Sequence, residues 1–171
     1  SPATNLSATN VSNPTFTSAG AMATTTYTLT VTDGNTCVGT STVDVTVTGL
    51  PVVPVVMNDN QTVCVGDGLG AVTIASAGTY NWYSDAGLTA PIVTGDDNAP
   101  TSVELGFSSA GAGVTTVYVA ETASSCEGPS TAVSLTVNSL PVADAGTNST
   151  ICDGEITILG GSPSATGGSG S

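Results

Sequence analysis

The sequence predicts an all-β protein made of antiparallel β-sandwich domains, about seven strands each, set end to end. Three observations carry this. First, runs of Val, Leu and Thr alternate with polar residues, as in residues 24–32 and 40–48, which is the period of a half-buried strand. Second, turn residues punctuate the chain about every 8–12 positions and helix formers are scarce, the pattern of a sandwich or barrel. Third, the chain repeats itself with a period of about 88–90 residues: residues 42–53 read TVDVTVTGLPVV and residues 132–143 read AVSLTVNSLPVA. The cysteines keep the same rhythm, since QTVC at 61–64 recurs as STIC at 149–152, and Cys37 recurs as Cys126. Self-similarity at fixed spacing is the signature of tandem units.

The elements follow in order. Residues 24–32 alternate, Asp33-Gly34-Asn35 supply turn chemistry, and residues 40–48 alternate again with Val43, Val45 and Val47 on one face. Two such runs across a Gly-containing connection form a β-hairpin, and Cys37 sits in that connection. The same hairpin returns as 114–121, a turn around Cys126, and 131–137. Leu50-Pro51 and Leu140-Pro141 follow the two hairpins. Proline ends ladder pairing there, so each pair marks a domain joint. The joints are short and carry no Gly/Ser tract, which holds neighbouring domains close.

Three units result: 1–50, the C-terminal part of one domain; 51–139, a complete domain; and 140–171, the N-terminal part of a further domain. In the middle unit, strands are expected near 52–56, 72–75, 79–83, 92–93, 103–105, 114–121 and 131–137. Trp82 is its expected core aromatic, with a sugar-stacking platform as the alternative role for that ring. The two flanks together make nearly one period, so the segment reads as close to two repeats cut out of phase.

Composition closes many functions. Lys, Arg and His are absent against 13 acidic residues, a net charge of −13. No side-chain salt bridge can form. Nucleic-acid binding needs cations to displace phosphate counterions, and an anionic membrane surface repels such a chain. Ser-His-Asp and Cys-His pairs lack their histidine, the Walker loop lacks its lysine, and a Lys–Asn isopeptide crosslink is excluded. Charged residues are only 8%, and the alternating apolar runs supply a buriable face, so the chain is not read as disordered. It has no apolar run of about 18 residues and no basic leader at its start; a secretion signal would lie outside the segment.

Several motifs resemble a known family. PVADAG at 141–146 with ICDG at 151–154 resembles the opening of the PKD-like and immunoglobulin-like (Ig-like) repeats in Bacteroidetes surface proteins. NWYSD at 81–85 and CEGPSTAV at 126–133 are similar to the Ig-like repeats. SPATNLS at 1–7 with TYTLTVTD at 26–33 is similar to the second half of the PKD-like type. The resemblance covers essentially the whole chain. It implies a secreted, surface or filament protein of the kind found in long adhesins and gliding-associated filaments, with no catalytic residues and no cofactor. The complete lack of Lys and Arg departs from most such repeats.

The candidate sites are few. Four cysteines in a thin-cored β protein point to disulfides and an oxidising compartment, with free or redox thiols as the alternative. Cys64 and Cys126 each recur with the repeat, so each domain owns one of each type and a Cys64–Cys126 bridge is expected. A loop that long would give about 4 kcal/mol in the entropy model. Cys37 and Cys152 are then left over and are of complementary type. They are expected to bridge successive copies in a head-to-tail fibre, the product of a heterologous contact that does not close, or else adjoining repeats of one long polypeptide with the same fold throughout. Asp59, Asp96 and Asp97 lie in oxygen-rich turns and are weak calcium candidates, although no complete D-x-[DN]-x-[DN]-G loop is present. The glycine-rich stretch 66–70 only superficially resembles a phosphate cradle. N-x-[ST] triplets at Asn5, Asn10, Asn60 and Asn148 are frequent by chance in so Asn- and Thr-rich a chain.

No enzyme is therefore expected. The leading expectation is a rigid stalk or filament whose partners are copies of itself or adjoining repeats, with a glycan ligand only at a distal tip outside this segment. The runner-up is a glycan- or partner-binding Ig-like module.

Overall fold

Alternating Thr, Val and Tyr residues set the longest elements of the computed structural model, which describes residues 5–95 and 98–160 and the backbone of 165–166. Every regular element among the described residues is a strand: β1 Thr24–Thr32, β2 Val38–Thr46, β3 Val56–Met57, β4 Asn60–Cys64, β5 Thr73–Ile74, β6 Thr79–Tyr83, β7 Pro91–Val93, β8 Gly113–Ala123, β9 Cys126–Asn138, β10 Val142–Ala143 and β11 Ala165–Thr166.

The middle unit holds seven of these strands, the number expected. A five-stranded sheet runs β4-β9-β8-β6-β7, and β3 pairs separately with β5. Alternation turns Val117 and Val119 of β8, and Val133, Leu135 and Val137 of β9, into one core. Tyr80 and Trp82 join them from β6, Val56, Val72 and Ile74 from the β3–β5 side, and Leu105 and Phe107 from a connection. Trp82 is wholly enclosed, and an aromatic of that size dominates a core this thin. The Tyr80 hydroxyl meets Ser76 Oγ at 2.7 Å, so its polar end is satisfied.

Three expectations need correcting. The sheet is mixed rather than wholly antiparallel, because β4 pairs parallel with β9, from Asn60↔Ser134 to Cys64↔Asn138. The sequence reading had no strand at β4, whose polar residues hide its pairing. Residues 103–105 form a turn instead of a strand. Thr101 N–H and Oγ1–H both donate to Glu104 Oε2, at 2.8 and 2.7 Å, and Phe107 N–H donates to Ser102 O at 2.8 Å. These local bonds offer the backbone an alternative to a ladder, while Leu105 and Phe107 still point inward. Finally, of residues 52–56 only Val56 enters a ladder. Pro51 and Pro54 have no N–H to give, so this stretch lies along the start of β9 instead. Thr131 Oγ1 donates to Pro54 O at 2.6 Å. A Cβ on Gly128 would stand 2.7 Å from the Pro51 carbonyl oxygen, so this joint requires glycine.

The front unit reproduces the β8–β9 hairpin. Adding 90 to each number in the pairs from Thr24↔Thr46 to Thr30↔Thr40 gives the pairs from Val114↔Thr136 to Ala120↔Ser130. Only the tips differ. A register shift between Ala120 and Thr122 leads into a two-residue turn, Ser124-Ser125, with φ of 50° and 64°, the positive angles of a type I′ hairpin. That single-residue shift explains why the tip cysteines Cys37 and Cys126 lie 89 residues apart while the strands recur at 90. At the front tip, Asp33 Oδ1 accepts from the N–H groups of Asn35 and Cys37, at 2.8 and 2.9 Å.

Candidate functional site

Two hairpins with one register bury very different fractions of themselves. Val119 and Val133 are 0% exposed, while Leu29 and Val43, their counterparts 90 residues earlier, are 63% and 60% exposed. Beside β1 and β2 lies an apolar trough of about 410 Å³, lined by Leu6, Val11, Phe16, Tyr27, Leu29 and Val43 among others. The segment 5–17 forms its far wall. Leu6 bridges to Phe16, whose ring meets Tyr27 edge-on with centroids 6.0 Å apart. Among the described residues, no second sheet faces β1 and β2 across this trough.

The matching surplus lies at the back. Residues 140–160 are all exposed. Ile156-Thr157-Ile158 spells the same alternation as Val72-Thr73-Ile74, yet Ile156 and Ile158 are 96% and 94% exposed where Val72 and Ile74 are 2% and 4%. The turns before them also match. Cys64 N–H donates to Asp67 Oδ2 at 3.0 Å and Asp67 N–H returns to Cys64 O at 3.0 Å. Cys152 N–H donates to Glu155 Oε2 at 3.1 Å and Glu155 N–H returns to Cys152 O at 3.1 Å. Sequence reasoning at a fixed offset missed this pair of segments, because the loop from Cys152 to Ile156 is four residues shorter than that from Cys64 to Val72.

The cysteines do not meet as expected. Cys64 pairs with Asn138 at one end of β9, and Cys126 opens β9 twelve residues earlier. At about 3.3 Å per residue the two stand about 40 Å apart, whereas a disulfide needs Cα atoms within about 7 Å. The Cys64–Cys126 bridge is therefore not one this register can make. Cys152 stands in its turn as Cys64 does, and Cys37 lies at its hairpin tip as Cys126 does. All four cysteines are free thiols here, Cys37 and Cys152 exposed, Cys64 and Cys126 half-buried. Cys126 has one informative neighbour: Thr48 Oγ1, from the joint after β2, lies 3.5 Å from its Sγ.

The remaining candidates are local. Asp59 gives its backbone carbonyl to Ser134 N–H at 2.7 Å; Asp96 and Asp97 lie outside the described residues. Among the described residues no three His, Cys, Asp or Glu side chains gather as metal ligands would. Glu127 accepts from the Tyr83 hydroxyl and from Asn81 Nδ2 at 3.3 Å. Burial first, and the Glu127 carboxylate second, hold the Tyr83 phenol above its usual pKa of 10.0. Trp82, the alternative sugar platform, is enclosed. No protein-family model matches the chain, and no curated protein is significantly similar to it.

Proposed function

We propose that the chain is a structural extracellular protein, without catalytic activity, that forms a rigid stalk or head-to-tail filament of repeated Ig-like and PKD-like domains on a bacterial surface in an adhesion-related role. The order β9-β8-β6-β7 supports the Ig-like assignment, since it matches the G, F, C and C′ strands of a variable-type sandwich. The carrying observation is the pairing of a half-built core with an exposed half-domain of the complementary kind. The occupant of the front trough is residues 148–159 of a second copy. Its Asn148–Cys152 stretch adds to β2 as β4 adds to β9, and Ile156 and Ile158 cover Tyr27, Leu29 and Val43 as Val72 and Ile74 cover Val117, Val119 and Val133. Such addition also removes an exposed sheet edge. Each copy would give one such contact and receive one, so the assembly grows along one direction.

The test is sedimentation velocity and negative-stain microscopy of the reduced chain over a range of concentrations. The expected result is growth from single chains to filaments, abolished by Ile158→Asp. A chain that stays monomeric at every concentration overturns the proposal.

A further inference from the structure

We infer that the four cysteines form disulfides across the joints between successive domains: Cys152 of one copy bonds Cys126 of the next, and Cys64 of the first bonds Cys37 of the next. This rests on the head-to-tail reading above and specifies its chemistry. Three positions in the fold lead to it. Within the middle unit, Cys64 is the ladder partner of Asn138. Ninety residues earlier, Asn138 corresponds to Thr48. When the back segment of a second copy adds to β2 in the β4–β9 register, Cys152 becomes the ladder partner of Thr48. Ladder partners on neighbouring strands stand about 5 Å apart, with side chains on one face. Thr48 Oγ1 already touches Cys126 Sγ at 3.5 Å. The incoming Cys152 thus arrives on the strand next to the residue that Cys126 touches, which brings the two thiols to the same joint.

The second bridge follows from the same rule. Cys37 sits at the tip of β1–β2 as Cys126 sits at the tip of β8–β9. In the next domain along, that tip faces the end of β9 where Asn138 and Cys64 lie. Every joint then pairs the cysteine after a fourth-strand ladder with the tip cysteine of the following domain. The contact between two copies carries two bridges, and no cysteine is left over. A thin-cored chain with no cations gains from them what salt bridges cannot supply.

The chemistry is thiol–disulfide exchange with an external disulfide. A thiolate of one cysteine attacks one sulfur of the oxidant and releases one thiol. The second cysteine's thiolate attacks the mixed disulfide and releases the other thiol. Two cysteine thiols become one disulfide as one external disulfide becomes two thiols.

Two double variants test this in the full chain. C37S/C126S keeps only the cysteines offered forward, and C64S/C152S keeps only those that receive. After oxidation by glutathione disulfide, wild type should run as a ladder of multiples on a non-reducing gel. Each variant alone should run at single-chain mass, and their equimolar mixture should stop at covalent pairs. Peptide mapping should find Cys126–Cys152 and Cys37–Cys64. Trp82 fluorescence verifies that both variants fold. Cys64–Cys126 or Cys37–Cys152 peptides, or a mixture that stays at single-chain mass, overturn the inference. Filaments of the reduced chain alongside an uncrosslinked mixture overturn the cysteine pairing and leave the fibre standing. Reduced chain that never assembles overturns both.

Discussion

The hairpins β1–β2 and β8–β9 share a register residue for residue and differ in nearly everything that packing adds. Between them they separate what a local sequence decides from what a domain decides. Alternation of Thr and Val fixes the strand pairing, and it does so equally with or without a core behind it. Burial comes from the facing layer, which the middle unit has and the described residues of the front unit do not supply. The same substitution at equivalent positions should therefore have opposite signatures, and that is the most direct way to break the comparison. Leu135→Ala in β9 removes a side chain 1% exposed and should cost about 2–5 kcal/mol, read as a lower urea midpoint. Leu29→Ala in the single chain should stay within about 0.5 kcal/mol. In the assembled state Leu29→Ala should instead weaken self-association. Equal stability losses at both sites in the monomer would mean that the front face is covered after all.

A second contrast sharpens the joint. Gly128 admits no side chain because the Pro51 carbonyl stands in its way. Overpacking of this kind costs about 1–3 kcal/mol, so Gly128→Ala should lower the unfolding midpoint by that much. Gly39, which lies at the equivalent tip-proximal stretch of β2 and has open space around it, should accept alanine with a far smaller effect. A neutral Gly128→Ala would mean that the joint yields, and a yielding joint argues against a stiff fibre.

The two hairpins and β6 were legible in the sequence because each rests on short-range signals, alternation and turn residues. Three things were not. β4 opens on three polar residues, Asn60-Gln61-Thr62, and gains its place from the parallel partner β9, a contact across about 74 residues that periodicity cannot see. Residues 103–105 alternate like a strand, but the Thr101–Glu104 bonds close a turn first. The cysteines were the instructive error. The Cys64–Cys126 pairing assumed that one domain keeps both partners together, whereas the register puts Cys64 beside Asn138 and Cys126 at the far end of the same strand.

Alkali should act on the middle unit through Tyr83. Tyr83 is enclosed and has its pKa raised above 10.0, first by burial and then by Glu127. A raised folded-state pKa means that the stabilising contribution is complete below the unfolded value near 10 and is lost as pH rises through the folded value. The urea midpoint should fall above about pH 10, and Tyr83→Phe should flatten that fall. An unchanged alkaline limb in the variant would show that the Tyr83–Glu127 bond contributes nothing to folding.

Acid should have the smallest effect. Asp85 is held below 3.8, first by the Ala90 N–H, which donates to Oδ1 at 2.7 Å, and then by Thr89 against an opposing desolvation. Glu104 is held below 4.5, chiefly by the Thr101 N–H. A depressed folded-state pKa contributes stability that is complete above the unfolded value and is lost as pH falls through the folded one. Both groups therefore act below about pH 4.5, and both are fully exposed, so their contribution is minor. No cationic side chain exists to depress any of the other carboxylates, and protonation also relieves repulsion among the 13 acids. The melting temperature should thus stay nearly flat from about pH 7 to about pH 5 and decline gently below that, with Asp85→Asn and Glu104→Gln removing most of the decline. A collapse between about pH 6 and 4 would point to carboxylates held ionised by a bound cation, and a matching loss on adding chelator at neutral pH would identify that cation as calcium.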